Sequence, residues 1–149
     1  MGERMLTEPC DVERSRRGIS DVCRLGSTLL HGVSAAERAA AARHLGAQGF
    51  VSAYAYLRHA LWDPDESVRA TAVEAIGALA IRQSAGELAA VYAWSGPRLR
   101  RAVLRAARRM GVPSAFDGIL ALARDDPDGR VRVLAARAER VISRGRRRS

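Results

Sequence analysis

Asp63-Pro64-Asp65-Glu66-Ser67-Val68-Arg69-Ala70-Thr71-Ala72-Val73-Glu74-Ala75-Ile76-Gly77 is the stretch on which the fold turns. It reads as a cap followed by an amphipathic helix. Asp63 suits the N-cap, and Pro64 suits the first helical position, where a missing N–H costs nothing. Asp65 and Glu66 place negative charge in the first turn, where the helix dipole favours it. Val68, Ala72, Ala75, Ile76 and Leu79 recur at three- and four-residue spacing and define one buried face. The same phrase returns as Asp126-Pro127-Asp128-Gly129-Arg130-Val131-Arg132, followed by Ala135, Ala136 and Ala138. A cap-and-helix phrase that repeats makes internal repetition the first question to settle.

Upstream, Ile19, Val22, Cys23, Gly26, Leu29 and Leu30 share a helix face that Gly32 ends. Ser34 caps the next helix, with Glu37 three residues on as a capping box. That helix carries Arg38, Ala41, Ala42, His44 and Leu45 and closes at Gly46 and Gly49. Phe50, Tyr54, Leu57 and Leu61 form the following stripe, which ends at Trp62. Beyond the quoted helix, Ser84 is the candidate cap of a short helix bearing Leu88, Val91 and Tyr92 and ending at Trp94. Ser95-Gly96-Pro97 starts a basic helix from Arg98 to Met110, closed by Gly111. Pro113 and Ser114 open the helix of Phe116, Ile119, Leu120 and Leu122, and the second Asp-Pro phrase opens the last one, to about Ser143. Residues 1–18 read as a flexible leader with a short helix after Pro9, 19–143 as the helical domain and 144–149 as a basic tail.

Superposing alternate helices exposes a period. Glu37-Arg38, Val68-Arg69, Leu99-Arg100 and Val131-Arg132 follow one another at offsets of 31, 31 and 32 residues. Ala41, Ala72, Val103 and Ala135 lie four residues past the first member of each pair, and His44, Ala75, Ala106 and Ala138 lie seven past it. Small residues at fixed places let neighbouring helices approach closely. A period in the low thirties with two helices per period is the mark of an α-solenoid.

The chain resembles the HEAT-repeat family, in particular the short HEAT-like units of many bacterial proteins. The resemblance rests on Asp63-Pro64 with Val68-Arg69, on Asp126-Pro127 with Val131-Arg132, and on the small residues after them, and it covers roughly residues 34–142. It implies an all-α, right-handed α-solenoid of about four helix pairs, with an N-terminal helix as cap. Two units depart from the pattern: Ser95-Gly96-Pro97 is shorter than the Asp-Pro cap it replaces, and Glu37 stands where an apolar residue is expected. The resemblance implies that second helices line the concave face. It also implies that Arg69, Arg100 and Arg132 form a structural ladder with loop carboxylates such as Asp63, Asp65 and Asp126. The function it implies is a non-enzymatic scaffold that holds a protein partner in its groove. Bilin lyases and alkylpurine DNA glycosylases of HEAT-like build share the scaffold only, and fold alone does not carry an activity.

Charge is distributed unevenly. All 25 basic residues are arginine, for a net charge of +9. Residues 1–94 hold 10 Arg against 11 acidic residues, a net of −1, whereas residues 95–149 hold 15 against 5, a net of +10. Such asymmetry bears on partners. At 100° per residue, Arg98, Arg101, Arg105, Arg108 and Arg109 fall within an arc of about 100°. No acidic residue lies between Ser95 and Met110, and Arg130, Arg137 and Arg140 hold the corresponding places on the last helix. Two readings follow: an anion-binding surface for an acidic protein segment or a nucleic-acid backbone, or a solvated polar face in an Arg-preferring sequence. The tail Arg144, Arg146, Arg147 and Arg148 would add non-specific phosphate contacts or simply solubilise its end.

Other constellations are sparse. Trp62 and Trp94 end successive first helices, where packing at a repeat junction competes with stacking on a base. Cys10 and Cys23 make neither a disulfide framework nor a CxxC site; Cys23 reads as a buried small hydrophobe and Cys10 as a free thiol. His31, His44 and His59 show no metal-ligand spacing, and His44 reads as a packed helix-face residue. No glycine-rich phosphate loop or nucleophile elbow occurs. The sequence therefore assigns no catalytic residue, no metal ligand and no cofactor. No stretch approaches the length of a membrane span and no signal-peptide core is present, so the chain reads as cytoplasmic.

Overall fold

The structure, a computed structural model, describes residues 9–111 and 114–148, with side chains from residue 16 onward. Its helices are α1 (Pro9–His31), α2 (Ala35–Gln48), α3 (Tyr54–Ala60), α4 (Glu66–Ala78), α5 (Ala85–Ala93), α6 (Pro97–Met110), α7 (Asp117–Arg124) and α8 (Gly129–Arg146). Short 3-10 turns at Val51–Ala53, Arg82–Ser84 and Ser114–Phe116 lead into α3, α5 and α7. No strand occurs among the described residues.

No single helix of this set can hide its own apolar face, so they pair and stack. The pairs are α1–α2, α3–α4, α5–α6 and α7–α8. Second helices form one continuous layer, α2 on α4, α4 on α6 and α6 on α8, and the first helices form the looser layer behind it. Between the layers lies one core, with Leu29, Leu45, Leu57, Val68, Ile76, Leu88, Leu99, Leu104, Phe116 and Val131 essentially removed from solvent. Small residues set the close spacing of the second layer. A Cβ added to Gly46 would lie 2.7 Å from the Ala75 methyl, and one added to Gly77 would lie 2.8 Å from that of Ala106. The expected α-solenoid of about four helix pairs is the architecture observed.

Several boundaries differ from the sequence reading, each for a local reason. The first helix starts at Pro9 rather than Ile19 and serves as the first member of pair one, packed on α2 and α3. The other residues of the expected leader, 1–8, lie outside the described residues, as does Pro113. Asp65, not Asp63, caps α4 by accepting the Ser67 N–H at 2.8 Å, and Asp128, not Asp126, caps α8 by accepting that of Arg130 at 2.8 Å. Pro64 and Pro127 therefore lie before the helices, not in their first turns. Ser34 caps α2 as expected, through the Glu37 N–H at 3.1 Å. Ser84 stands at the N-cap of α5 as expected, but its side chain makes no cap bond: its hydroxyl donates to the Ile81 carbonyl at 2.6 Å inside a 3-10 turn. The last helix runs to Arg146, three residues past Ser143. Part of the expected tail is thus helical, and Arg146 reaches Asp117 of α7 at 2.8 Å.

The repeat period also governs how α2, α4 and α6 end, while α8 runs on past the equivalent place. Gly49, Ala80 and Gly111, spaced 31 residues apart, all have positive φ, at 76°, 52° and 83°. At that place the chain turns through the left-handed region that glycine adopts freely, and alanine pays for there in steric strain.

Candidate interaction surface

The loops joining first to second helices carry an arginine–aspartate ladder. Arg38 of α2 grips Asp63 with two hydrogen bonds, Nε to Oδ2 at 2.7 Å and Nη2 to Oδ1 at 3.1 Å. Arg100 of α6 reaches Asp126 at 2.8 Å. Each aspartate also accepts an N–H from its own loop, Asp65 or Asp128, at 2.9 Å. Burial pushes the Asp63 carboxyl up, but the Arg38 guanidinium and the Asp65 amide outweigh it and leave the group below its ordinary value. The same contact raises Arg38. Tyr92 completes the second rung: Arg100 sits 5.7 Å above its ring, and burial, with Asp126 beside it, raises its phenol.

The expected ladder therefore needs correcting in its members. Arg69 and Arg132 do not pair with carboxylates; each donates to two carbonyls of the loop before its own helix. Arg69 bonds to Asp63 and Pro64 at 2.7 and 3.0 Å, and Arg132 to Asp126 and Pro127 at 2.7 and 3.1 Å. Arg38 takes the first rung that the sequence reading gave to others, although the superposition already placed it in the Arg column. Asp65 is a cap rather than a rung. Between pairs two and three the rung is missing: Ser95 stands where Asp63 and Asp126 stand, and its buried hydroxyl turns back to the Val91 carbonyl.

The second-helix face carries the arginines. Arg43, Glu74, Arg105 and Arg137 occupy equivalent places on α2, α4, α6 and α8, at offsets of 31, 31 and 32. The basic stripe on α6 is not free of acidic partners, contrary to the sequence reading. Arg101 meets Asp128 of the α8 cap at 2.7 Å, and Arg105 meets Glu74 of α4 at 3.1 Å. The Arg130 N–H, together with Arg101 and Arg130 charge, outweighs burial and lowers the Asp128 carboxyl. Arg98, Arg108, Arg109, Arg130, Arg137 and Arg140 are exposed and have no carboxylate within ion-pair distance among the described residues.

Between α6 and α8 the face opens into a groove of about 600 Å³, lined by Arg101, Arg105, Arg130 and Arg137, with Asp128, Val133 and Leu134. Val133 is 52% exposed, so apolar surface lies among the guanidiniums. A smaller depression of about 250 Å³ lies nearer α2, where Arg43 and Arg109 flank Thr71 and Glu74. Within the fourth pair, α7 and α8 are joined by ion pairs: Arg124–Glu139 at 2.7 Å and Arg146–Asp117 at 2.8 Å.

Trp62 and Trp94 stack on each other, with ring centroids 5.5 Å apart and planes 20° from parallel. They do pack at the junction of pairs two and three, yet they remain 66% and 51% exposed. Cys23 is exposed rather than buried, beside Tyr56, whose ring fills the space over Gly26; its thiol is the first cause raising the Tyr56 phenol. His44 is exposed rather than packed, because it points off α2 where its counterparts Ala75 and Ala106 lie between helices. Among the described residues no group of three His, Cys, Asp or Glu could hold a metal ion, and no helix is long and apolar enough to cross a membrane.

A family model described as HEAT repeats matches residues 24–95, from the second half of α1 to the loop before α6. No curated protein matches the chain.

Proposed function

From the premise that the chain is a HEAT-repeat protein, we propose that it is a non-enzymatic scaffold holding an acidic, partly apolar segment of a partner protein on its second-helix face. The observation that carries this reading is the α6–α8 groove, lined by four guanidiniums together with exposed Val133 and half-buried Leu134. The groove lies on the layer of second helices, which pack on one another more closely than the first helices do. Arg130 and Arg137 are free to meet carboxylates, and Arg98, Arg108, Arg109 and Arg140 extend the field around them. Arg101 and Arg105 are already held by Asp128 and Glu74, which fixes the groove wall rather than adding free charge. The one carboxylate of the lining, Asp128, is held by Arg101 at 2.7 Å and by the Arg130 N–H at 2.8 Å, so it serves the wall of the groove.

Nucleic acid is the competing occupant. Against it stand the carboxylates of Asp128 and Glu74 and the apolar Val133, which a phosphate backbone does not use. The test is fluorescence anisotropy with a labelled Glu/Leu-rich peptide and a labelled random DNA duplex, each at several salt concentrations. The peptide binds, and the double variant Arg130→Glu/Arg137→Glu loses that binding while keeping its thermal midpoint, since both side chains are exposed and unpaired. Tighter duplex binding, with a log–log salt slope of about −0.9 per phosphate contact, would transfer the surface to nucleic acid and overturn the reading.

A further inference from the structure

The two ends of the second-helix layer are finished differently. On α2, exposed Glu37 and His44 stand where α4 has the buried Val68 and Ala75, so that end is polar. On α8 the side away from α6 keeps apolar residues. Gly46 and Gly77 define this direction, since each lies against an alanine of the following second helix. Their column runs Gly46, Gly77, Arg108, Arg140. The columns four and seven residues earlier run Ala42, Val73, Leu104, Ala136 and Ala39, Ala70, Arg101, Val133, all at offsets of 31, 31 and 32. The following helix buries Ala39, Ala42, Ala70, Val73 and Leu104, whereas Val133 and Ala136 are exposed. In the first-helix layer Ala60 and Val91 are buried, while Leu122, 31 residues after Val91, is 65% exposed. A terminal pair that closes a stack carries a polar outer face; here Leu122 and Val133 are larger than Ala60 and Ala70 and still apolar. At 100° per residue, Arg137 and Arg144 lie within about 60° of Arg140. All three are exposed and have no carboxylate within ion-pair distance among the described residues.

We propose that the far side of α8 receives an acidic amphipathic α-helix of the partner protein, which takes the place of a fifth second helix. This rests on the reading above of an acidic, partly apolar partner segment and adds its conformation and its lie. Val133 and Arg137 are shared with the groove lining, whereas Ala136, Arg140 and Arg144 are outside it. The molecule itself supplies the template, because a helix covers this side of α2, α4 and α6. It also sets the charge. In the column Arg43, Glu74, Arg105, Arg137, the Glu74 carboxylate meets Arg105 of the neighbouring helix at 3.1 Å. A carboxylate on the docked helix meets Arg137 in the same manner. Arg140 is no bar to close packing, since Arg108 holds the same place on α6 and α8 packs beside it. A second copy of the chain does not fit this face. Two α8 faces would set their arginines against each other, and α2 of a following copy, in the register of Gly77 on Ala106, would bring His44 rather than a carboxylate to Arg140.

The probes are a labelled Glu-rich peptide with Leu and Ala at three- and four-residue spacing, the same peptide with two central residues changed to proline, and a labelled random DNA duplex. Anisotropy reads binding and far-UV circular dichroism of the mixtures reads helix. The first peptide binds and gains helix on binding. The proline peptide binds at least about tenfold more weakly, because proline breaks a helix. Ala136→Gln puts a neutral, helix-favouring side chain where the docked helix must pack. It weakens the helical peptide at least about fivefold and leaves the thermal midpoint unchanged. If both peptides bind equally and Ala136→Gln affects neither, the docked helix is wrong while the groove reading stands. If neither peptide binds, both fail. Sedimentation of the protein alone as a dimer that Ala136→Gln disperses would give the face to a second copy. Duplex binding that Ala136→Gln weakens, with peptide binding untouched, would give it to nucleic acid. Either result overturns the proposal.

Discussion

Asp63 and Asp65 are two residues apart and chemically identical, yet they do different work. Asp65 caps its own helix, with the Ser67 hydroxyl and N–H holding its carboxyl low, while Asp63 reaches back to Arg38, 25 positions upstream. Local pattern alone names a cap somewhere in Asp-Pro-Asp. It cannot say which aspartate caps, because a guanidinium from the preceding pair decides. Asp63→Ala should therefore cost about 1.5–3 kcal/mol, the range for a hydrogen bond to a charged group, and Asp65→Ala should cost less; urea titration of both variants gives the order. Acidification should act through the same groups. Asp63, Asp65 and Asp128 have folded values below the ordinary one, so the unfolded chain takes up protons first as pH falls. Their stabilisation is complete well above the unfolded carboxyl value, about 3.9, and is lost as pH drops through the folded values. The thermal midpoint should fall below about pH 5, and less steeply in Asp63→Asn. Ala80 offers the opposite sign: at φ 52° it stands where Gly49 and Gly111 stand, so Ala80→Gly should raise stability by about 1 kcal/mol.

Among the elements, second helices are spaced by what their glycines lack. Gly77 lies against Ala106, where an added Cβ would fall 2.8 Å from both its Cα and Cβ, backbone that cannot swing away. Gly77→Ala should therefore force α4 and α6 apart and cost about 1–3 kcal/mol. Gly86, in the first turn of α5, has nothing within 4 Å of that position. Gly86→Ala should gain up to about 1 kcal/mol from helix propensity, so the pair of variants separates packing from propensity in one thermal melt. The same helices mark what a linear reading reaches. Periods of small and apolar residues gave the pairs, their order and their second-helix layer, because those signals are local to each helix. The basic stripe was visible as a stripe on the α6 wheel, but its neutralisation was not. Arg101 finds Asp128 27 residues later and Arg105 finds Glu74 31 residues earlier, contacts that arise only when neighbouring helices stack. Arg101→Glu should accordingly lower stability by setting two carboxylates face to face, whereas Arg137→Glu should leave it unchanged.

Across the whole molecule, stability is a sum of pair interfaces rather than a property of one closed core. α4 and α6 have second-helix neighbours on both sides, while α8 has only α6 in its layer and α7 behind it. Two of the three junctions carry an Arg–Asp rung, and the last of them, Arg100–Asp126, ties pair four to the rest. In a stack of this kind each pair leans on its neighbours, and end pairs open at lower free energy than central ones. Native-state hydrogen exchange should thus find the slowest amides in α4 and α6 and faster ones in α7 and α8. Asp126→Asn removes the charge that Arg100 meets, with little change of shape. It should speed exchange through α7 and α8 while leaving α2 and α4 near their wild-type rates. Equal acceleration in all second helices would mean that the chain opens as a single cooperative unit, and the rung would then be contributing to a global core rather than fastening one pair to the next.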